Sequence, residues 1–399
     1  MYFESLDKKD CSGCTACVNV CPKQCISMKQ DEEGFYYPKI DKSFCIKCGL
    51  CEKVCPFDKP RYENVEVQDV YASYIKDVSQ RQQSTSGGIF YVIAKWVIER
   101  GGIVYGAAFD DRFKLIHVGI ETINDLDRLR GSKYLQSYLG TVFLEIKEHL
   151  KTERWVYFVG CGCQVAGLNA FLRKKYNTLI TSDLVCHGVP SQLMFDWHLD
   201  YLRKKEKSEI TSYSFRDLSG WGVCETYEFS SQTRGKGKRI LPSYSLSPYL
   251  YSFMWAFNYR YSCYDCKFAR VPRQGDITLG DYWGVAKFFP ELDRTKGISL
   301  ILVNTFQGIS IWNSLKESVE YRKSKINDAA CENANLVHKT EMPVIRTTCY
   351  KMICERGYAD VARNEFRIKK YWRVKFLVYL SQTIFWKILS KLKHRIRKS

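Results

Sequence analysis

Eight cysteines near the N-terminus stand at spacings suited to redox chemistry. They read Cys11-x2-Cys14-x2-Cys17-x3-Cys21-Pro22 and, after a short polar insert, Cys45-x2-Cys48-x2-Cys51-x3-Cys55-Pro56. Three thiolates two residues apart on a tight loop can converge on three irons of one cube, whereas the fourth, set further on and followed by proline, points towards a neighbouring cube. Two such runs predict two [4Fe–4S] clusters with crossed ligands. Cys11, Cys14, Cys17 and Cys55 serve one, and Cys45, Cys48, Cys51 and Cys21 the other. The competing readings are weaker: zinc takes two separated pairs closing one tetrahedron, and a disulfide framework has no reason to repeat one spacing with proline behind each last cysteine. Cys25 lies outside both sets and reads as a small core residue.

A second group of thiols is scattered. Cys163 and Cys186 each follow an expected strand, and Cys263-x2-Cys266 is a ligand-type pair. Brought together, these four would bind a third [4Fe–4S] cluster. Read alone, Cys163 and Cys186 serve equally well as buried small hydrophobes, and Cys263 with Cys266 as a zinc pair or as unliganded thiols. His187 reads as a ligand, a proton donor or a hydrogen-bonded core residue. The loop Ser84-Thr-Ser86-Gly87-Gly88 opens a helix, so its N–H groups and hydroxyls suit a phosphate. Gly131-Ser132-Lys133-Tyr134 would add a cation and a hydroxyl. Neither Gly-x-Gly-x-x-Gly nor a Walker loop occurs, so a bound nucleotide would not sit on the usual Rossmann half.

These residues need elements to hold them. Residues 70–75 read as a strand, 81–88 as a loop, 89–99 as an amphipathic helix ended by Gly101-Gly102, and 103–109 as another strand. A helix is expected over 137–150, a strand over 155–159, a loop over 160–164, and a helix to about residue 175. The unit repeats with a strand over 179–185, a loop over 186–190, and a helix capped by Ser191. Strands alternating with helices predict an α/β domain around a mostly parallel sheet, with ligands at the carboxyl ends of the strands. The loops 84–88, 160–164 and 186–190 fall on that edge. Antiparallel strands are expected from about 211 to 241, a core strand over 298–303, and helices beyond residue 304. The expected domains are a bacterial-type two-cluster ferredoxin domain over 1–62, an α/β domain over 63–330 with an antiparallel insertion, and a helical C-terminal region over 331–399.

A chain of 399 residues with 45% hydrophobic and 15% aromatic content can build two or three domain cores. Of its 18 cysteines, nine lie at or before Cys55 and nine from Cys161 onwards. Free thiolates and clusters call for a reducing compartment, and no apolar leader or membrane-length run is seen, so the expectation is a cytoplasmic protein. The net charge of +18 is unevenly placed. Residues 1–60 hold nine Lys and nine Asp or Glu, while residues 361–399 hold twelve Lys or Arg against Glu365. Over 371–399, aromatic and aliphatic residues alternate with Lys and Arg, which suits a helix lying at the inner, anionic face of a membrane. Packing on its own domain, docking to a partner, or a nucleic-acid arm are the competing readings. Nothing else here resembles a base-reading module, so no nucleic acid is expected.

Together these segments resemble the coenzyme F420 hydrogenase/dehydrogenase beta-subunit family, in its form with an N-terminal two-cluster ferredoxin domain. The resemblance runs from about Cys11 to Asn304. It rests on Ser86-Gly87-Gly88, the stretch from Gly131 to Ser137, Phe158 to Leu168, Leu184 to Pro190, and Cys263-x2-Cys266 followed by Gly275-Asp276-Ile-Thr-Leu-Gly280-Asp281-Tyr-Trp283-Gly284. It implies FAD, with Ser86, Gly87, Gly88, Gly131, Ser132, Lys133, Gln136, Gln164 and Asp281 around it. It also implies a third cluster on Cys163, Cys186, Cys263 and Cys266, and His187 and Lys133 as groups near the reacting centre. One departure stands out: Cys161-Gly162 replaces the Thr-Pro usual before Cys163, which adds a thiol. The implied activity is that of an iron–sulfur flavoprotein oxidoreductase passing electrons between one-electron carriers and a two-electron substrate, with coenzyme F420 one such substrate and cell-surface polysaccharide assembly one setting. A redox partner such as ferredoxin or another oxidoreductase subunit follows. The rivals are an electron-transfer subunit without its own substrate, docked to a catalytic partner, and a membrane-associated non-enzymatic iron–sulfur protein.

Overall fold

A computed structural model of the chain describes residues 2–58, 67, 69–217, 222, 224–231, 235–367 and 376. The expected boundary near residue 62 and the basic tail over 371–399 therefore lie almost wholly outside the described residues.

The cysteine-rich segment holds a hairpin of β1 (Ile26–Gln30) and β2 (Tyr36–Ile40), paired antiparallel between two cysteine loops. The main body is an eight-stranded sheet made of β3 (Asp69–Ile75), β4 (Ile103–Phe109), β5 (Leu115–Ile120), β6 (Val156–Cys161) and β7 (Leu179–Leu184), continued by strands that follow a smaller sheet. That smaller antiparallel sheet is β8 (Glu209–Ser214), β9 (Glu225–Ser231) and β10 (Gly235–Leu241). The main sheet then adds β11 (Ile277–Asp281), β12 (Ser299–Val303) and β13 (Val319–Ser324), in the order β13-β3-β12-β11-β7-β6-β4-β5. The α/β expectation holds, and parallel pairing is concentrated in the four central strands β11, β7, β6 and β4. Antiparallel strands extend the sheet on both sides.

Alternation along β4 and β6 sets the two layers. Val104, Tyr157 and Val159 join the core under the helices Ile89–Ile98 and Phe306–Leu315. Ile103, Tyr105, Val156 and Phe158 face the opposite core, with the helices Val142–Lys151 and Gly162–Leu172. The cysteine-rich segment packs on that second layer through Ala16 and Val54, while its Phe35 and Tyr37 enter an aromatic core shared with the helices Gln192–Glu206 and Cys349–Arg356. Glu33 is buried against Arg346, whose Nη1 donates to Glu33 Oε1 at 2.9 Å.

Two expected boundaries shift. Residues 137–141 do not begin a helix, because Tyr138 N–H bonds to Leu115 O and His117 N–H to Tyr138 O, holding Tyr138 extended beside β5 before a turn at Gly140 and Thr141. The 160–164 loop is absent: β6 runs to Cys161 and the next helix starts at Gly162, with Gln164 Oε1 accepting from Cys161 N at 2.9 Å. That bond closes a capping box. Ser191 caps its helix as expected, its Oγ accepting from Met194 N. Among the described residues, no helix is long and apolar enough to cross a membrane.

Candidate functional site: a file of cavities

The carboxyl ends of β3, β6, β7 and β11 lie on one edge of the sheet and open into a cavity of about 340 Å³. Residues of all three expected segments border it: Ser84, Thr85, Ser86 and Gly88 from the first loop, Gly160, Cys161 and Gln164 from the end of β6 and the helix after it, Cys186 and His187 from the loop after β7. The helix Ile89–Ile98 starts there after Gly88, whose φ of +86° is a left-handed turn favoured by glycine. Its free first-turn N–H groups, with the hydroxyls of Ser84, Thr85, Ser86 and Ser132, suit an anion. Arg130, Lys133 and Arg216 supply positive charge, and Asp281 is ion-paired to Arg216.

Gly131, Ser132, Lys133, Asp281 and His187 border this cavity, as does Ser86, whose Oγ lies 3.2 Å from Ser299 Oγ. Three of the expected contacts turn out differently. Gly87 does not line it: a Cβ there would stand 2.3 Å from Ser73 O and 2.7 Å from Ser299 N. This residue is glycine because the loop lies on the strands. Gln136 lies instead on a neighbouring chamber, donating to Ser12 O at 2.9 Å and accepting from Arg260 at 3.2 Å. Gln164 borders both spaces, but its amide is committed to Cys161 N and to Ser137 Oγ.

Lys133 donates to Arg130 O at 2.8 Å and Arg128 O at 3.2 Å, yet desolvation brings its pKa down to about 7. Desolvation lowers His187 as well, against the pull of Asp281, so its ring is neutral at pH 7. His117, which the sequence offered no reason to select, also borders the cavity. Its Nε2 donates to Val159 O at 3.0 Å, its Nδ1 has no partner, and burial holds its pKa down to about 4. The ring is thus a neutral imidazole with a spare acceptor.

Beside the large cavity lies a smaller chamber of about 60 Å³ bordered by Cys161, Cys163, Cys186, Cys263 and Cys266. The four thiols expected to meet do meet, and Cys161 joins them. Cys161 and Cys186 face each other: their contact holds the Cys186 thiol below its ordinary pKa, while the same contact and burial push Cys161 up. Arg260 and Arg273 border the chamber, both buried. Arg260 reaches out of it, Nε donating to Cys11 O at 2.7 Å.

Two further spaces lie in the cysteine-rich segment. One is bordered by Cys11, Cys14, Cys17, Cys51 and Cys55, the other by Cys21, Cys25, Cys45, Cys48 and Cys51. Cys55 thus sits with the first run and Cys21 with the second, the crossed partition that the spacing implies. Cys25 is more than a core residue: its Sγ is 3.5 Å from Cys21 Sγ on the wall of the second space. Among the described residues, no three His, Cys, Asp or Glu side chains are set to grip a single ion. These thiols ring open spaces, as a cubane requires.

The four spaces form a file with shared walls. Cys51 borders both spaces of the cysteine-rich segment, Ser12 and Phe57 border the Cys11–Cys17 space and the inner chamber, and Cys161, Cys186 and His187 border the inner chamber and the large cavity. Phe57 packs on Phe268 in edge geometry at 5.9 Å, in contact with Cys55, Cys163 and Cys266. Gly167 lets the helix Gly162–Leu172 approach the first run; a Cβ there would lie 2.9 Å from Cys14 Cβ and 3.0 Å from its Sγ.

Burial pushes the Cys14 thiol up to about 12 and raises Cys17, Cys55 and Cys163 too. Iron binds thiolate, so filling these spaces must release protons. Below those pKa values, each pH unit multiplies the thiolate fraction about tenfold. Reconstitution of the apoprotein with iron and sulfide, followed by visible absorbance, is therefore expected to run several-fold faster at about pH 8.5 than at about pH 7.

Residues 153–329 match the family model for the C terminus of the coenzyme F420 hydrogenase/dehydrogenase beta subunit. Residues 10–59 match the 4Fe-4S dicluster domain. Among solved structures, the chain is similar to one from the xenon-derivatized F420-reducing [NiFe] hydrogenase complex of Methanosarcina barkeri, at 17% identity and a TM-score of 0.45, covering 76% of this chain and 91% of that one. No curated protein sequence matches it. The dicluster match falls on the two cysteine runs and the family match on the strands and thiols of the inner chamber, so the chain is an iron–sulfur electron-transfer protein with an N-terminal 4Fe-4S dicluster domain, and its residues 153–329 are related to the C terminus of the coenzyme F420 hydrogenase/dehydrogenase beta subunit.

Proposed function

We propose that this protein is an iron–sulfur flavoprotein oxidoreductase that exchanges single electrons at its cysteine-rich end for a two-electron reaction in the large cavity. The observation that carries this reading is the unbroken file of thiol-ringed spaces ending on a cavity of another chemistry. The residues of that cavity fit FAD: hydroxyls, helix N–H groups and cations for a diphosphate, and apolar walls such as Phe90, Leu129 and Phe253 for a ring system. When bound, a flavin supplies the exchange between one- and two-electron chemistry. The chain's own part is to bind, orient and manage protons.

His187, on the wall between the cavity and the inner chamber, is a neutral ring placed to hydrogen-bond, or accept a proton from, a group on the cavity side. His117 Nδ1 offers an acceptor to an N–H or O–H of the bound group. Lys133 is protonated below about pH 7 and neutral above it, so its charge assists an anion only on the acid side. Deflavinated protein should thus bind FAD more tightly at pH 6 than at pH 8, by about fivefold for a single charge worth about 1 kcal/mol. Lys133→Met should remove that dependence, as followed by flavin fluorescence.

Anaerobic purification and flavin extraction test the whole reading: about one FAD per chain is expected, and a flavin-free protein with full clusters overturns it. Reduced holoprotein that passes electrons to coenzyme F420 or NAD(P)+ unaided is an oxidoreductase in its own right. Reduction of artificial dyes alone favours a relay that needs a catalytic partner.

A further inference from the structure

We infer that the outer end of the file is a docking surface for an acidic one-electron carrier protein. This deepens the reading above, since it rests on the outermost space holding a redox centre.

Every residue bordering that outermost space falls between Cys21 and Glu52, and its Cys48 is exposed. Around it Phe44 and Ile46 are 68% and 57% exposed, two large apolar side chains on a loop otherwise polar. Lys23, Lys29, Lys39, Lys42, Lys47 and Lys53 are all exposed in the same two segments, against Asp41 and Glu52. None of these lysines forms an ion pair among the described residues. The acids that would offset them are engaged elsewhere: Asp31 and Glu32 hold Lys8, and Glu33 is buried on Arg346. Asp41 accepts from Ser43 N and Oγ. What remains is an exposed apolar pair, Phe44 and Ile46, among lysines of which Lys23 and Lys47 border the outermost space itself.

That pattern suits a brief encounter with a partner of opposite charge. A small apolar pair gives a short contact, and the lysines steer approach and set orientation. The chain's own tail is no complement, because residues 361–399 carry twelve Lys or Arg against Glu365. An anionic membrane would match the charge but supplies no electron at the chamber mouth. In the step itself the carrier is oxidised by one electron and the outermost centre reduced by one; no bond forms or breaks and no proton moves.

The test uses anaerobically purified holoprotein and an oxidised, acidic two-cluster ferredoxin as the probe, with binding measured by calorimetry so that no turnover is needed. Binding is expected to weaken about tenfold or more from about 50 to about 300 mM salt. Lys42→Glu with Lys47→Glu should weaken it about tenfold, and Phe44→Ser should weaken it at unchanged salt dependence. Lys95→Glu, on the helix Ile89–Ile98, should leave it unaltered. Basic cytochrome c should not bind. Iron and flavin are assayed on the same samples, so that an empty outer site, which sinks the functional reading, is told apart from a filled site that ignores the probe. Equal binding by the charge-reversed protein, or binding of cytochrome c, overturns the proposal. So does charge-dependent binding of phosphatidylglycerol vesicles with no binding of ferredoxin.

Discussion

Replacing Cys263 by serine is expected to lower bound iron from about twelve to about eight atoms per chain, four being the content of one cubane. Cys263 borders the inner chamber with Cys163, Cys186 and Cys266, and burial pushes its thiol pKa up. Serine keeps the volume but cannot serve as a soft thiolate ligand, so the change removes the site rather than the fold. Cys161 complicates this in an instructive way. It stands in the same chamber, bonded to Cys186, and is the one further thiol positioned to substitute. If Cys263→Ser keeps about twelve irons while Cys161→Ser with Cys263→Ser falls to about eight, Cys161 has taken over as ligand. About eight irons in the unaltered protein would sink the inner cluster. Low-temperature electron paramagnetic resonance of the reduced proteins gives an independent count. Loss of the centre beside the large cavity should also slow flavin reduction by dithionite, because Cys161, Cys186 and His187 are the shared wall between the two spaces.

Arg273→Met is expected to cost about 3–5 kcal/mol of stability, the scale for leaving a buried charge without its partner. Asp183 is fully buried near the carboxyl end of β7, and Arg273 Nη2 lies 2.7 Å from its Oδ2. Thr278 Oγ1 and Gly275 N donate to the other oxygen, at 2.7 and 3.3 Å. The same guanidinium donates to Phe268 O and Leu184 O. It therefore ties together β7, the loop after Cys266 and the start of β11, three of the pieces that place the inner thiols. Urea denaturation at matched iron content measures the loss. Asp183→Asn combined with Arg273→Met should recover much of it, because the carboxylate no longer has to be buried charged; a double variant as unstable as the single would show that the carbonyl contacts dominate.

The ferredoxin-type ligands were legible because the chemistry is local. Three thiols within seven residues can only bend onto one centre, and the proline behind the fourth sets its direction, so spacing alone reports the crossed partition of Cys55 and Cys21. Five strands of the main sheet, β3, β4, β6, β7 and β12, were legible from apolar periodicity, as was the Ser191 cap; β5, β11 and β13 were not, and β13 lies where only helices were expected. Boundaries failed where a long-range partner overrode local preference. Tyr138 is held extended because β5 offers Leu115 O to its N–H, and nothing within that stretch announces it. Gly87 illustrates the opposite error: a glycine in a Ser-Gly loop suggested a phosphate contact, whereas its missing side chain serves the close approach to Ser73 and Ser299.

By itself the sequence determined the spacing of the two cysteine runs, the α/β class, and the segments 84–88, 160–164 and 186–190 that converge on one sheet edge. Only the tertiary structure decided which scattered residues share a space. Cys161 with Cys163, Cys186, Cys263 and Cys266, the buried arginines 260 and 273, the unpartnered His117, and the Phe57–Phe268 contact are separated by tens to hundreds of positions. Their meeting depends on strand order and on how the cysteine-rich segment seats against the helix Gly162–Leu172. The physical reason is that a periodic pattern records only contacts made within a turn or a loop. A site assembled at the carboxyl ends of parallel strands is made by crossover connections, and these bring residues together without leaving a spacing to read.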